Sequence, residues 1–198
     1  MKKIFNAPNT ITFIRILLVP VFVAFVLYPI IPDTTVNYIV CAAVFSVTAL
    51  TDMLDGKIAR KYGLVTNLGK FADALVDKFM IYSAYIAISV NLDGIRQRAL
   101  VWLTVVIILR DLAINGIRMM ASGKGKVIAA QLSGKLKTTT QCLSVVILLL
   151  EPAAAELTHI AVFENGVISL VFMALTLIAT VWSGADYIKD YSKFIELD

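Results

Sequence analysis

The sequence predicts an all-α integral membrane protein, a bundle of six transmembrane helices with both termini in the cytoplasm. The 198-residue chain is 59% hydrophobic and 16% charged, whereas a soluble domain carries roughly 25% charged residues. Its mean hydropathy is +0.84. The apolar residues form long continuous runs, which are typical of spanning helices rather than of the short alternating strands of a membrane barrel. The length suits one domain over residues 1–198.

Six apolar segments are long enough to cross the hydrocarbon core, which takes about 20 helical residues. The segment that starts the chain follows two lysines, as in a signal peptide, but Arg15 interrupts it and no small-residue cleavage site follows. We therefore expect it to be a retained first span. The connections between segments carry Pro, Gly, Asn or Asp, which commonly end helices. The segments are approximately residues 10–30, 36–58, 71–91, 98–121, 134–151 and 166–188.

Lysine and arginine are unequally distributed between the two sides of this bundle. The side that holds both termini and the second and fourth connections carries many of them, whereas the other side has only Arg96 and Arg98. Because positively charged connections stay in the cytoplasm, the sequence predicts a multi-pass protein of the cell membrane with the first side cytoplasmic. The residues on that side include Lys2, Lys3, Lys57, Arg60, Lys61, Lys70, Arg118, Lys124, Lys126, Lys135, Lys137, Lys189 and Lys193.

Four carboxylates lie at the predicted cytoplasmic junction of the second and third helices. Helical geometry places the first two on one face with Gly56 and Ala59, and the other two on one face with Gly69. The small residues leave room for a ligand to approach the backbone. Charged residues within a membrane normally face an interior cavity and mark function. The four are Asp52, Asp55, Asp73 and Asp77.

Carboxylates so close together in a low-dielectric site repel one another, and divalent cations would offset this repulsion. Mg²⁺ prefers oxygen ligands and is often held by carboxylates together with substrate phosphates. A pair of such ions suits a displacement at phosphorus. Two other readings remain open: each aspartate caps a helix or pairs with a nearby cation, or the chain is a divalent cation transporter. A transporter would be expected to place its carboxylates at the bilayer midplane and to show repeat symmetry.

The aspartates belong to a longer pattern, Asp52-x-x-Asp55-Gly56-x-x-Ala59-Arg60, followed after eight residues by Gly69-x-x-x-Asp73-x-x-x-Asp77. This pattern resembles the signature of the CDP-alcohol phosphotransferases. The resemblance implies an integral membrane enzyme, typically of six helices and often a homodimer. Such an enzyme moves a phosphatidyl or similar group from a CDP-linked donor to an alcohol and releases CMP.

The resemblance also implies roles for the signature residues. Two ions of Mg²⁺ or Mn²⁺ would be bound by Asp52, Asp55, Asp73 and Asp77, and Asp77 would also serve as the catalytic base toward the acceptor hydroxyl. A positioned carboxylate can take that proton while a metal lowers the cost of the developing negative charge. The donor nucleotide would be bound by Asp52, Gly56, Ala59, Arg60 and Gly69.

A second group of cations predicts an anion pocket for the acceptor. Ser133 is expected to cap the fifth helix, and lysines in the first turn after it oppose the helix dipole unless an anion binds there. The alternatives are that the lysines anchor the protein at the membrane surface, that Asn9 or Thr10 caps the first helix, and that Arg110 pairs with Asp111. The expected pocket residues are Arg110, Arg118, Lys135, Lys137, Arg15, Asn9 and Thr10.

Three further stretches, "PNTITFIRILLVPVF", "ILRDLAINGIR" and "GKLKTTTQ", resemble the branch of the family that makes phosphatidylglycerol phosphate. That resemblance implies CDP-diacylglycerol as donor and sn-glycerol 3-phosphate as acceptor. Inositol phosphate, serine or phosphatidylglycerol remain as alternative acceptors of sister enzymes. Membrane lipid is an expected partner and nucleic acid is not. Neither Asp111 nor His159 receives a role.

Overall fold

The computed structural model describes the backbone of residues 7–61, 67–123 and 132–195, and the side chains of residues 14–51, 75–123 and 132–191. Within these ranges the chain forms helices joined by short connections and contains no strand, as the sequence predicts. The helices are α1 (Ala7–Leu27), α2 (Thr34–Lys61), α3 (Asn67–Val90), α4 (Gly94–Gly123), α5 (Leu132–Thr158), α6 (Ala161–Glu164) and α7 (Val167–Ile195).

Several of these helices are long and apolar enough to cross a membrane. In the described part of the chain, four stretches qualify by length and hydropathy, and α1 adds the shorter apolar stretch Ile14–Leu27. The chain is therefore a multi-pass membrane protein, while the count of six spans and the cytoplasmic location of the termini remain predictions. The four stretches are Thr34–Thr51, Gly94–Gly123, Leu132–Thr158 and Val167–Tyr191.

The end of α5 differs from the sequence-based expectation. The sequence predicts that the fifth span ends near residue 151, whereas α5 continues through Pro152 to Thr158. Proline normally breaks or kinks a helix because it lacks an N–H and crowds the preceding turn. The alanines that follow favour helix. Glu151 is also held by another helix, because its carboxylate accepts hydrogen bonds from the backbone N–H groups of Ile168 and Ser169 at 2.9 and 3.1 Å. Glu151 thus satisfies free N–H groups at the start of α7.

Helix α5 lies at the centre of the bundle and packs against α2, α3, α6 and α7. The core around it includes the fully buried residues Phe45, Tyr85, Leu100, Ile107 and Leu149. The outer surface is also apolar, as expected of helices that contact lipid. Large side chains that are more than half exposed include Leu17, Val47, Phe79, Trp102, Ile178 and Trp182.

Side-chain amides hold the helix ends together at the end of the bundle where α1 finishes. Asn91 Nδ2 donates to the carbonyl oxygen of Val26 at 2.7 Å, and Asn37 Nδ2 donates to that of Phe25 at 3.3 Å. The last carbonyls of a helix have no partner within the helix, so these bonds satisfy α1 and tie it to α2 and α3. They fix how the three helices are aligned along their length.

Candidate active site

The four signature aspartates lie on two consecutive helices. Asp52 and Asp55 are in the last turns of α2, and Asp73 and Asp77 are in the first turns of α3. Of these side chains only Asp77 falls within the described ranges. The expected roles in binding the metals and the donor therefore remain predictions. The side chains that lie outside the described residues are those of Asp52, Asp55, Gly56, Ala59, Arg60, Gly69 and Asp73.

Arg15 is at the same level of the bundle as the aspartates. Val19 of α1, Thr48 of α2 and Met80 of α3 line one small cavity. One turn further along each helix come Arg15, Asp52 and Asp77. The Arg15 side chain is only 2% exposed. It is thus a buried cation on the helix that packs against the two aspartate-bearing helices, and it does not line the acceptor cavity described next.

Asp77 lines a cavity of about 150 Å³ between α3, α4, α5 and α7. Three of the cations that the sequence assigned to an acceptor pocket, Arg110, Arg118 and Lys137, line this cavity. We call it the acceptor cavity. Its other lining residues are Lys78, Ile81, Tyr82, Asp111, Ile114, Asn115, Gly134, Thr138, Gln141 and Tyr187.

A buried carboxylate organises one wall of the acceptor cavity. Lys137 Nζ lies 2.5 and 2.7 Å from the two carboxylate oxygens of Asp111. The Tyr82 hydroxyl donates to Asp111 Oδ2 at 2.8 Å, and Arg110 Nη1 donates to Asp111 Oδ1 at 3.0 Å. Asp111 therefore joins α3, α4 and α5, and it holds two of the cavity's cations in place.

An aromatic ring holds the other wall. The guanidinium carbons of Arg110 and Arg118 lie 5.3 and 5.0 Å from the ring centroid of Tyr187, within the range of a cation–π contact. Arg118 Nη2 also donates to the Tyr187 hydroxyl, and Arg110 Nη2 donates to Ser183 Oγ. Gly184 leaves room for this arrangement, because a Cβ there would lie 3.3 Å from Arg110 Cγ. Helix α7 thus holds both arginines through one aromatic ring.

The remaining expected pocket residues lie elsewhere. Lys135 is exposed and does not line the acceptor cavity, because two residues along a helix turn the side chain by about 200°. Ser133 was expected to cap α5, but it lies in the first turn and its hydroxyl donates to Asp186 Oδ2 at 2.7 Å. Asn9 and Thr10 are on α1, and their side chains lie outside the described residues.

The charges around the acceptor cavity do not cancel. Among the described lining residues, four side chains are cationic and two are carboxylates, which leaves an excess of two positive charges. A phosphate monoester in its dianionic form would balance this excess. Arginine suits that ligand because its planar fork of donors matches phosphate geometry. The cations are Lys78, Arg110, Arg118 and Lys137, and the carboxylates are Asp77 and Asp111.

Sequence reasoning missed the two tyrosines of this site. Tyr82 lies in an apolar run of α3, where an aromatic residue does not by itself indicate a functional site. Tyr187 belongs to a polar face of the otherwise apolar α7, which also carries Ser183, Gly184 and Asp186. Polar residues three and four positions apart share one face of a helix, so this pattern could have indicated from the sequence that α7 contributes to the site.

The sequence profile of the CDP-alcohol phosphatidyltransferases matches residues 5–182. A Bacillus subtilis CDP-diacylglycerol–glycerol-3-phosphate 3-phosphatidyltransferase is 38% identical over 191 residues, covering 92% of this chain and 93% of the relative. A probable phosphatidylglycerophosphate synthase of Mycobacterium tuberculosis is 34% identical, covering 94% of this chain and 81% of the relative. An Escherichia coli K12 protein with the same name as the Bacillus relative is 31% identical, covering 93% and 94%.

Proposed function

The chain belongs to the CDP-alcohol phosphatidyltransferase family, and from this premise we propose its reaction. It transfers the phosphatidyl group of CDP-diacylglycerol to sn-glycerol 3-phosphate, which gives phosphatidylglycerol phosphate and CMP. The names of the Bacillus and Escherichia relatives specify this donor and acceptor. The observation that carries the proposal is the acceptor cavity, where an excess of positive charge lies beside Asp77.

The acceptor phosphate binds to the cationic walls of this cavity. Arg110 and Arg118, both in contact with the Tyr187 ring, supply guanidinium donors for this phosphate. Arg118 offers the more available charge of the two, because Arg110 already bonds Asp111 and Ser183. Lys137 contributes less free charge, because both of its short contacts go to the Asp111 carboxylate. A neutral or zwitterionic acceptor such as serine would leave the excess charge unbalanced. The cavity therefore favours an acceptor that is itself a phosphate.

The reaction proceeds at the opposite end of the acceptor from its phosphate. Asp77 takes the proton of the acceptor hydroxyl as the hydroxyl oxygen attacks the phosphorus of the phosphatidyl group. A new oxygen–phosphorus bond forms, and the bond from that phosphorus to the CMP oxygen breaks, so that CMP leaves with the bonding electrons. Binding both substrates in this geometry makes the attack effectively unimolecular.

The carboxylates suit a pair of divalent cations. Asp77 lines the cavity, and Asp52, Asp55 and Asp73 lie on the same two helices. Oxygen donors of this kind are what Mg²⁺ and Mn²⁺ prefer. When bound, two such ions would stabilise negative charge on the attacking and leaving oxygens. Gly56, Ala59, Arg60 and Gly69 belong to the donor site in this proposal.

We further propose that the protein acts as a homodimer in the cell membrane, with its site at the cytoplasmic face. The distribution of lysine and arginine in the sequence supports the orientation, and the family resemblance supports the dimer. At this face the water-soluble CMP moiety and glycerol 3-phosphate meet the site while the acyl chains stay in the bilayer.

The decisive assay measures CMP release by the purified protein in detergent with CDP-diacylglycerol. Glycerol 3-phosphate, inositol phosphate, serine and phosphatidylglycerol are offered separately, each with Mg²⁺ or Mn²⁺. We expect release with glycerol 3-phosphate, loss of release after EDTA treatment, and recovery when the metal is returned. Release with another acceptor alone would reject the proposed acceptor and keep the family. Release that is insensitive to EDTA would reject the metal sites.

A further inference from the structure

A second cavity, of about 430 Å³, lies at the end of the bundle opposite the acceptor cavity. We call it the distal cavity. The ends of α1 and α3, the first turns of α2 and α4, the part of α5 around Pro152, and α6 enclose it. Its inner wall is apolar and consists of the buried residues Val26, Ile88, Leu92 and Leu148. Nothing in the proposed phosphatidyl transfer uses this space.

Arg96 lies on the wall of the distal cavity in a fixed position. Its half-buried side chain lies against Gly166, where an added Cβ would be 2.5 Å from Arg96 Nη1. Gly166 also has a φ of +64°, which other residues rarely adopt. The Arg96 guanidinium makes no hydrogen bond or ion pair with any residue that the structure describes. The structure therefore holds a guanidinium at this cavity with its donors available to a ligand.

Two carboxylates line the same cavity without neutralising Arg96. Glu156 Oε2 accepts from Thr35 Oγ1, and Glu164 Oε1 lies 4.0 Å from Nδ1 of His159. A guanidinium and separate carboxylates around one space match a ligand that carries both a phosphate and an amine. Arginine binds phosphate through its fork of donors, and carboxylates bind ammonium groups as ion pairs.

The surroundings of the distal cavity indicate that this ligand is a lipid. Large apolar side chains at this end of the bundle are strongly exposed, including Tyr28 at 72%, Ile95 at 68% and Leu157 at 69%. A ligand that approaches past these residues does so from the bilayer. We propose that the distal cavity binds the headgroup of a zwitterionic phospholipid such as phosphatidylethanolamine, with its phosphate on Arg96 and its ammonium on Glu156 and Glu164.

Native mass spectrometry of the purified protein in detergent tests this proposal. Phosphatidylethanolamine is titrated against the wild-type protein, Arg96→Ala and the matched control Arg98→Ala. Arg98 lies two residues after Arg96 on α4 and is exposed. Its Nε donates to the carbonyl oxygen of Gly94 in the same helix. We expect one lipid to bind to the wild type and to Arg98→Ala, with binding at least about tenfold weaker in Arg96→Ala. Equal binding in all three would overturn the proposal.

Two further arms identify the chemistry and guard against misfolding of the Arg96 variant. The wild type should bind phosphatidylethanolamine more tightly than phosphatidylglycerol, and the double variant Glu156→Gln/Glu164→Gln should lose this preference. A preference retained in the double variant would overturn the assignment of the ammonium. Phosphoethanolamine and inorganic phosphate are added as competitors. Displacement of the lipid by either at equal concentration would show a site for a free anion or zwitterion rather than for a lipid. The KM for glycerol 3-phosphate should be unchanged in Arg96→Ala, which separates this test from that of the proposed function.

Discussion

Lys137 and Asp111 form a buried ion pair in which one ammonium nitrogen lies within 2.7 Å of both carboxylate oxygens. Removing one partner of such a pair leaves an uncompensated buried charge and costs about 3–5 kcal/mol, whereas replacing both by apolar groups is often neutral. Tyr82 and Arg110 also bond Asp111. The carboxylate is therefore structural for the site and also determines where its cations point.

Asp111→Ala should destabilise the protein by about 3–5 kcal/mol, because Lys137 would keep its charge in a buried position. The double variant Asp111→Ala/Lys137→Met should regain most of this stability. Chemical unfolding in detergent, followed by circular dichroism, measures the difference. Asp93→Ala, at an exposed position just before α4, is the control and should behave as the wild type. An Asp111→Ala variant as stable as the wild type would contradict the ion pair.

Tyr82→Phe should raise the KM for glycerol 3-phosphate about tenfold, with a smaller change in kcat. The variant loses one hydrogen bond to a charged carboxylate, which is worth about 1.5–3 kcal/mol, and Asp111 then holds the cations less firmly. Steady-state kinetics with each substrate varied in turn measures the effect. Tyr28→Phe, on an exposed side chain, is the matched control. Equal changes in the KM values of donor and acceptor would indicate a general structural defect instead.

Arg118→Ala should raise the KM for glycerol 3-phosphate by at least about tenfold and leave that for CDP-diacylglycerol nearly unchanged, because a charge-assisted bond to phosphate is lost. Lys135→Ala is the comparison. Sequence reasoning placed Lys135 in the same pocket, but its side chain is exposed outside the cavity, so its removal should have little effect. Similar losses in the two variants would show that surface charge, rather than the cavity, attracts the acceptor.

Asp77→Asn should lower kcat by about 10²–10⁴-fold, the range expected when a general base is removed, because an amide of nearly the same shape cannot take the proton. Binding of radiolabelled CDP-diacylglycerol should persist. Asp93→Asn provides a carboxylate-to-amide control far from the site. Turnover close to the wild-type rate would reject Asp77 as the base, and loss of donor binding would indicate a role chiefly in holding the metals.

Much of the fold and part of the site could be predicted from the sequence. Ionisable residues are costly inside a membrane, so Asp77, Arg110, Arg118 and Lys137 stand out in a chain this apolar. The structure brings these four together at one cavity. The all-helical class followed from the long continuous apolar runs, which suit spanning helices rather than the short alternating strands of a membrane barrel.

What could not be predicted depends on packing between helices. The rotation of α5 decides that Lys137 rather than Lys135 faces the cavity, and neighbours set that rotation. Tyrosines are common in spanning helices, so only the tertiary contacts show that Tyr82 and Tyr187 matter. Pro152 is a strong local signal for a helix end, but Glu151 and its bonds to a distant segment outweigh it.

The bonds from Glu151 to the first turn of α7 have an effect at the other end of the molecule. They fix the depth of α7 in the bundle at Ser169, and Tyr187 follows after 18 helical residues, a rise of about 27 Å. One residue inserted or deleted between Ser169 and Ser183 would shift Tyr187 by about 1.5 Å along the axis and turn it by about 100°. Arg110 and Arg118 would then lose their contacts with the Tyr187 ring. The length of α7 in this interval is therefore as constrained as the identity of the residues in the site.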